Sequence, residues 1–443
     1  MNIITRFAPS PTGFLHAGNY RTALFSYIFA RQNNGKFLLR IEDTDKARSK
    51  KEYEDNIIDS LKWLGLEYDD FYRQSDRVDV YSKHIQNLID SGNAYVSKEN
   101  SQEEGKSAEV IRFKNPNKKV KFTDLIRGDI IFDTTDLGDF VIAKNINEPL
   151  FHLVVVIDDA EAGITHIVRG EDHISNTPRH ILIYEALGLP IPKYAHIPLL
   201  LAPDRSKLSK RKGALPITEY RNRGYLPEAM INYLALLGWH PNDDTEILSK
   251  DEIIKSFSLE RVQKGSAIFD EEKLNWFNRE YIKKLTDQDF DDKAKSFLPK
   301  LLLDSDEIYN RIKPLIREKI VVFGDITKMF ELGGELAFVE KLADFPVDML
   351  LWKKSPNREE SLKHLNKTKE ILQSVDSNLF TSDNIKNAVW NYAEESGRGN
   401  VLWPFRVALT GQEKSPDPFT SAYILGKVET LNRLDLAIAK LEN

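Results

Sequence analysis

A short apolar run from Ile3 to Phe7 is cut off by Pro9-Ser10-Pro11-Thr12-Gly13, and beyond that loop the period changes: Leu24, Tyr27 and Ile28 share one helical face, and Phe37 to Ile41 is again a strand. This stretch constrains the chain more than any other. A strand, a glycine-bearing loop, a helix and a second strand make the opening unit of a parallel sheet. The loop after the first strand then lies at the carboxyl edge of the sheet, where a nucleotide site is expected.

The pattern continues with a helix at Tyr53, Ile57, Leu61 and Leu64. From about Gln74 to Pro149 it changes to a helix (Tyr81, Ile85, Leu88), then a charged, glycine-bearing segment with short β-like runs such as Asp129 to Phe132, which reads as an insertion. The parallel pattern resumes with Leu153 to Ile157 as a buried strand and Ile164 to Val168 as another. A helix comes next, with Thr177 as its N-cap, Pro178 in first position and Gly188 past its end. After about Pro216 helical periodicity dominates, as in Ala229, Tyr233, Leu236 and Leu237, later in Ile385, Val389 and Tyr392, and finally in Ile424, Val428 and Leu431. The expected fold is therefore α/β: a Rossmann-type parallel-sheet domain (1–73 and 150–215) split by an α+β insertion (74–149), then all-helical regions at 216–300 and 301–443.

With 443 residues, 41% apolar and 29% charged, the chain has material for several cores and is neither disordered nor a disulfide miniprotein. No window approaches the apolar length of a membrane span, and the start lacks a basic region followed by an apolar stretch, so a cytoplasmic, membrane-free protein is expected. Cys is absent, which removes disulfides, thiolate nucleophiles and cysteine-held zinc. The net charge of −6 argues against a chain coated with nucleic acid but leaves room for a local basic surface.

Two loops carry chemistry. In Pro9-Ser10-Pro11-Thr12-Gly13-Phe14-Leu15-His16-Ala17-Gly18-Asn19, Gly13 and Gly18 permit close backbone approach, the helix opening near Asn19 offers amides and a positive dipole end to phosphate oxygens, and His16 can donate a hydrogen bond there. Alone, the same residues would serve as an ordinary strand-to-helix turn with a structural histidine. The second loop, Asp204-Arg205-Ser206-Lys207-Leu208-Ser209-Lys210-Arg211-Lys212-Gly213, packs five cations into ten residues. Mobile ammonium groups of this kind suit a polyphosphate whose charge moves during reaction, and they equally suit a solvated basic loop or an RNA contact.

Taken together, P-S-P-T-G-x-L-H-x-G after a first strand and K-L-S-K-R after a resumed parallel pattern resemble the class I aminoacyl-tRNA synthetases, and specifically the glutamyl-tRNA synthetase family. The resemblance runs through Arg40-Ile41-Glu42-Asp43-Thr44-Asp45, Val168-Arg169-Gly170-Glu171-Asp172-His173, Tyr194-Ala195-His196-Ile197-Pro198-Leu199-Leu200-Leu201, Phe269-Asp270-Glu271-Glu272-Lys273-Leu274 and Trp403-Pro404-Phe405-Arg406-Val407-Ala408-Leu409-Thr410-Gly411. Ser10 and Thr12 favour the glutamyl over the glutaminyl branch.

The resemblance implies that ATP and L-glutamate form glutamyl-adenylate and pyrophosphate, and that the acyl group then passes to the terminal adenosine of tRNA. It assigns catalysis to His16, Lys207 and Lys210. Glutamate falls to Arg6, Ala8, Ser10, Glu42, Phe151 and Arg169, and ATP to Pro9, Thr12, Gly13, His16, Gly18, Asn19, Asp172, Leu200, Leu208, Ser209, Lys210 and Arg211. Mg²⁺ is expected on the ATP phosphates. The insertion is assigned to the acceptor end of tRNA, with Lys118, Lys119 and Lys121 as contacts. The region after Pro216 is assigned to the stem, and the C-terminal region to the anticodon, through Arg398, Trp403 and Arg406. A monomer is implied.

There are departures from the family pattern. Phe151 stands where many members have a substrate-touching tyrosine, and the neighbouring His152 is either a replacement for the missing hydroxyl or, the reading preferred, a core histidine. The segment between Tyr95 and Phe113 is short, and with no cysteine and His84 the only histidine from Gln74 to Pro149, no zinc site is expected. Two other functions compete: an enzyme that glutamylates a queuosine-type modified base of tRNA, which the long helical region argues against, and a synthetase-derived RNA-binding protein without catalysis, which has no need of a triphosphate cradle.

Overall fold

The computed structural model describes residues 2–100, 107–208, 215–354 and 356–443. Two units are distinct in it, Met1–Tyr281 and Ile282–Asn443. The first opens as expected. Strand β1 (Ile4–Phe7) leads through the proline-rich loop to helix α1 (Ala17–Gln32) and then β2 (Lys36–Ile41), which pairs with β1 in parallel, Arg6 opposite Leu38. Helix α2 (Lys51–Trp63) crosses to β3 (Asp70–Arg73), parallel to β2.

After α3 (Val78–Asp90), whose Tyr81, Ile85 and Leu88 are all buried, come β4 (Ala94–Asn100), β5 (Ser107–Phe113), β6 (Lys119–Asp124), β7 (Gly128–Asp133), β8 (Phe140–Asn145) and β9 (Glu148–Pro149). Strands β4, β5, β8 and β9 form an antiparallel sheet. The β6–β7 hairpin instead joins the second half of the main sheet, where Asp124 pairs with Tyr194.

The segment Leu153 to Ile157, expected as a strand, is helix α4 (Phe151–Glu161). Five consecutive apolar residues, three of them valine, satisfy a buried strand or a buried helix equally well, and period alone does not separate the two. The surroundings decide. All five residues from Leu153 to Ile157 are buried: Leu153, Val154, Val156 and Ile157 in a core shared with Tyr81 and Ile85 of α3 and with Ile181 and Ile183 of the next helix, and Val155 against the cavity described below. Strand β10 (His166–Gly170) comes next, then α5 (Thr177–Leu187) and β11 (Lys193–Ile197), parallel to β10. Asn176, not Thr177, is the N-cap of α5, and Pro178 is its second residue; the Thr177 hydroxyl holds an arginine instead. Gly188 closes α5 in the left-handed conformation.

Strands β1 and β10 lie side by side: the Thr165 amide donates to the Ile4 carbonyl at 3.0 Å, and the Ile4 amide to the Thr165 hydroxyl at 2.9 Å. Strand order is thus β3-β2-β1 on one side and β10-β11-β6-β7 on the other. The direction of winding reverses between β1 and β10, and the crevice beyond their carboxyl ends is where such folds bind ligands.

Beyond Pro216 the first unit is largely helical, apart from a short strand, Ala267–Ile268, that pairs with β12 (Leu200–Leu201). In the second unit the helices Arg358–Ser374, Ser382–Ser396, Arg398–Thr410 and Pro418–Glu442 bury Leu365, Leu372, Ile385, Val389, Phe405 and Leu434. The expected face Ile424, Val428, Leu431 is not the core face throughout. Gly426 at φ 78° breaks the last helix, so Val428, 76% exposed, turns to solvent. A Cβ there would stand 2.6 Å from Nη1 of Arg311, so the break is also a close approach. Among the described residues no helix is long and apolar enough to cross a membrane, and no cluster of three His, Asp or Glu could hold a metal ion.

Candidate active site

A cavity of ≈ 420 Å³ occupies the crevice at the β1/β10 reversal. It collects Arg6 and Ala8 at the carboxyl end of β1, Pro9, Ser10, Thr12, His16, Gly18 and Asn19 from the first signature loop, and Lys207 and Leu208 from the second. Glu42, Phe151, Arg169, Asp172 and Leu200 complete the set expected from the sequence. Gly13 shares the loop but does not line the cavity, and Ser209, Lys210 and Arg211 lie outside the described residues.

His16 is built into the helix start. It is the N-cap of α1: its Nδ1 accepts from the Gly18 amide at 3.1 Å, while Asn19 Oδ1 accepts from the His16 amide at 3.2 Å. The helix therefore opens at Ala17, ahead of Asn19, and one of its amides is already taken by the imidazole. With Nδ1 accepting, the neutral ring carries its proton on Nε2. A Cβ on Gly18 would press on the ring, 3.0 Å from Cε1.

Behind the cavity a charged network fixes its floor. Asp159, at the end of α4 and fully buried, accepts from Arg6 Nε at 3.0 Å and from Arg40 Nη1 at 2.6 Å, and Arg40 also donates to Glu42 at 3.0 Å. Burial raises the Asp159 pKa, but Arg40 and then Arg6 outweigh it and hold the carboxyl below its usual range. Burial leaves Glu42 above its usual range, opposed by Arg40. The adjacent Asp158 also approaches Arg40 Nε at 4.0 Å, but its hydrogen bonds go to Gln74, Arg77 and Tyr81, which ties α4 to α3 and the segment leading into it. Neither acid was singled out in the sequence. The available signal was two carboxylates abutting a continuous apolar run, which when buried must find cations or donors.

Arg169 differs from Arg6. It is 7% exposed, and among the described residues no carboxylate pairs with it. Its partners are neutral: His196 Nε2 at 3.0 Å, Thr177 Oγ1 at 2.7 Å, and His180 Nδ1 at 3.4 Å. Burial lowers its pKa to about 10, so the guanidinium stays charged at neutral pH with no carboxylate hydrogen-bonded to it among the described residues. Phe151 packs beside it against the rings of His152, His173 and His180. His152 is held in that ring cluster, Nδ1 3.1 Å from His180 Nε2, and burial lowers its pKa to about 4.

Lys207 is half-exposed at the cavity mouth and donates to Asp172 at 3.0 Å. Arg21 was not anticipated. It lines the cavity but spends its guanidinium on the carbonyls of Leu237, at 2.8 Å, and Pro198, bracing α1 against the end of the helix Pro227–Leu236 and the end of β11.

The expected RNA contacts divide in two. Lys118 pairs with Glu185 at 2.7 Å and Lys121 with Asp129 at 2.8 Å, while Lys119 is exposed on the same strand. In the second unit Arg398, Trp403 and Arg406 converge on one cavity of ≈ 700 Å³, with Trp352, Lys386 and Trp390. Arg398 lies 4.7 Å over the Trp390 ring, and Trp403 Nε1 donates to the Met349 carbonyl at 2.8 Å.

A parallel sheet whose order reverses at a cationic cavity places the first unit in the doubly wound α/β class, in which nucleotides bind at the reversal. Residues 2–104 and 98–276 match the catalytic domain of the class I tRNA synthetases (E and Q), and residues 274–438 match an anticodon binding domain. The glutamate--tRNA ligases of a Sulfurihydrogenibium species and of Aquifex aeolicus are 43% and 42% identical, each covering 92% of this chain and 93% of the relative. The crystal structure of a glutamate tRNA ligase from Elizabethkingia meningosepticum, in complex with its amino acid, superimposes with a TM-score of 0.87 at 33% identity over 100% of both chains. The chain belongs to the class I tRNA synthetase family of the E and Q type.

Proposed function

We propose that the protein attaches L-glutamate to the 3′ end of the glutamate tRNA, using ATP and passing through glutamyl-adenylate. The observation that carries this reading is Arg169, a buried cation with which no carboxylate pairs among the described residues, on the same cavity as His16 and Lys207. The names of the relatives point the same way.

The residues present suit the chemistry. In the first step an ionised carboxylate attacks the α-phosphorus of ATP, the α–β anhydride bond breaks, and pyrophosphate leaves. The nucleophile is already charged at neutral pH, so no protein base is required. Catalysis rests on positioning and on charge stabilisation. His16 Nε2–H and the start of α1 meet the phosphates, and Lys207 and Lys210 follow charge onto the pyrophosphate, with Mg²⁺ accompanying the phosphates as part of the substrate. Asp172 and the backbone at Leu200 flank the adenosine. Arg169 and Arg6 hold the carboxylate that does not react, Glu42 accepts from the α-ammonium, and Ala8, Ser10 and Phe151 complete the wall. In the second step a ribose hydroxyl of the terminal adenosine attacks the mixed anhydride and AMP leaves.

For tRNA, the aromatic and cationic cavity of the second unit offers ring faces for stacking unpaired bases and guanidinium groups for phosphate or base edges. Lys119 and its neighbours offer phosphate contacts nearer the acceptor end. A cytoplasmic monomer is consistent with the chain, and neither feature enters the mechanism.

The deciding measurement is ATP–pyrophosphate exchange with glutamate, with and without tRNA, and then locating the acyl group on purified glutamate and glutamine tRNAs. Glutamate-dependent exchange with an acyl group on the 3′-terminal ribose supports the reading. An acyl group on an internal base, or RNA binding without exchange, would replace it.

A further inference from the structure

Within the motif Tyr194 to Leu201, His196 is held by hydrogen bonds on both ring nitrogens and by its own backbone amide. His196 is wholly buried on β11. Its Nδ1 lies 2.7 Å from Oδ2 of Asp124, and its own backbone amide donates to the same oxygen at 3.0 Å. Asp124, also buried, accepts in addition from the amides of Ile126 at 3.0 Å and Arg127 at 2.8 Å, so it is ionised and fixed from four directions. On the other side of the ring, Nε2 accepts from Arg169 Nε at 3.0 Å.

These contacts determine the tautomer. An ionised carboxylate only accepts, so Nδ1 carries the proton; a guanidinium only donates, so Nε2 carries none. The ring is a neutral relay, oriented by an acid on one side and orienting an arginine on the other. Tyr194 stacks on the His196 ring, centroids 6.0 Å apart at 6°, and also faces Arg169, which limits tilting of either.

We propose that Asp124 and His196 are positioning residues for Arg169, holding its guanidinium toward the substrate carboxylate without neutralising it. Arg6 shows the alternative, since it is held by Asp159 and shares its charge with that acid. A carboxylate placed directly on Arg169 would compete with glutamate for the same fork, whereas a neutral imidazole fixes direction and leaves the charge for the ligand. Asp124 stands on the β6–β7 hairpin, so a part of the chain outside the β1–α1 and β10–α5 units sets the amino-acid pocket.

This inference rests on the glutamate site proposed above, and the test separates the two. Steady-state kinetics are measured for Arg169→Ala, His196→Leu, His196→Gln and Asp124→Asn. His196→Leu removes the acceptor and is expected to raise the glutamate KM about tenfold or more, with the ATP KM within about twofold, the size of one misdirected charge-assisted hydrogen bond. His196→Gln, whose carbonyl can still accept from Nε, should recover most of that loss, and Asp124→Asn should fall between them. If Arg169→Ala leaves the glutamate KM unchanged, the site reading itself fails. If Arg169→Ala raises it and His196→Leu does not, only the positioning role fails. Should the buried variants not fold, ¹⁵N-histidine NMR of the unaltered protein decides: a neutral ring protonated at Nδ1 upholds the inference, and a cationic ring or one protonated at Nε2 overturns it.

Discussion

The Gly18 amide donates to Nδ1 of His16 at 3.1 Å, and the absence of a Cβ on Gly18 is what lets the imidazole lie across the first turn of α1. A Cβ at Gly18 would stand 3.0 Å from Cε1 of that ring. Gly18→Ala should therefore push the imidazole away from the cavity without weakening the helix, since alanine is the better helix former. The expected result is a loss of at least about tenfold in ATP–pyrophosphate exchange, from one misdirected donor, with the melting temperature held or raised. Equal loss of activity and stability would show that the glycine serves packing alone.

Lys207 reaches the cavity mouth through Asp172, and Lys210 comes three residues later in the same loop. If both ammonium groups receive charge as pyrophosphate forms, Lys210→Ala should lower exchange by about 10² or more, as removal of an oxyanion donor does. Lys207→Ala should act in the same direction, chiefly on kcat. Near wild-type turnover by Lys210→Ala would remove that lysine from the mechanism.

Burial lowers the pKa of His166 to about 4, with Lys193 adding to the effect. Between about pH 4 and the unfolded value of about 6.5 the unfolded chain binds a proton there and the folded chain does not. Stability should accordingly fall as pH falls through that window, with no contribution above it, at up to about 1.4 kcal/mol per pH unit for this group. His152 and His173, also lowered to about 4 and chiefly by burial, act in the same sense. Denaturant unfolding at pH 7 and pH 5 should show a smaller drop for His166→Gln than for the unaltered chain. An identical pH dependence would mean that this ring is protonated in the native state.

Trp390 and Arg398 share the wall of the cavity in the second unit. If a tRNA base stacks there, Trp390→Ala should raise the tRNA KM by about fivefold to a hundredfold, the range of a base–aromatic contact of ~1–3 kcal/mol. The glutamate and ATP KM values should not move. Unchanged tRNA kinetics with both glutamate and glutamine tRNAs would leave this cavity without a role in RNA binding.

The order and chemistry of the local pieces were legible from the residues alone. A proline-rich loop after an apolar strand, a histidine and glycine at a helix start, and a run of lysines in a glycine-bearing loop state their geometry through spacing, because the constraints that produce it act over a few residues. That is why His16, Gly18 and Lys207 stand out from the residues themselves, whereas Glu42, Arg169 and Asp172 come from the family resemblance; all six line one cavity. Tertiary structure alone decided the rest. Whether Leu153 to Ile157 is helix or strand depends on what surrounds it, since an apolar run buried on all sides carries no period of its own. Arg6 and Arg169 look alike in sequence, yet one meets Asp159 and the other only neutral rings. Charge pairing is a property of distances across the fold, between residues as far apart in the chain as Asp124 and His196, and no local pattern encodes it.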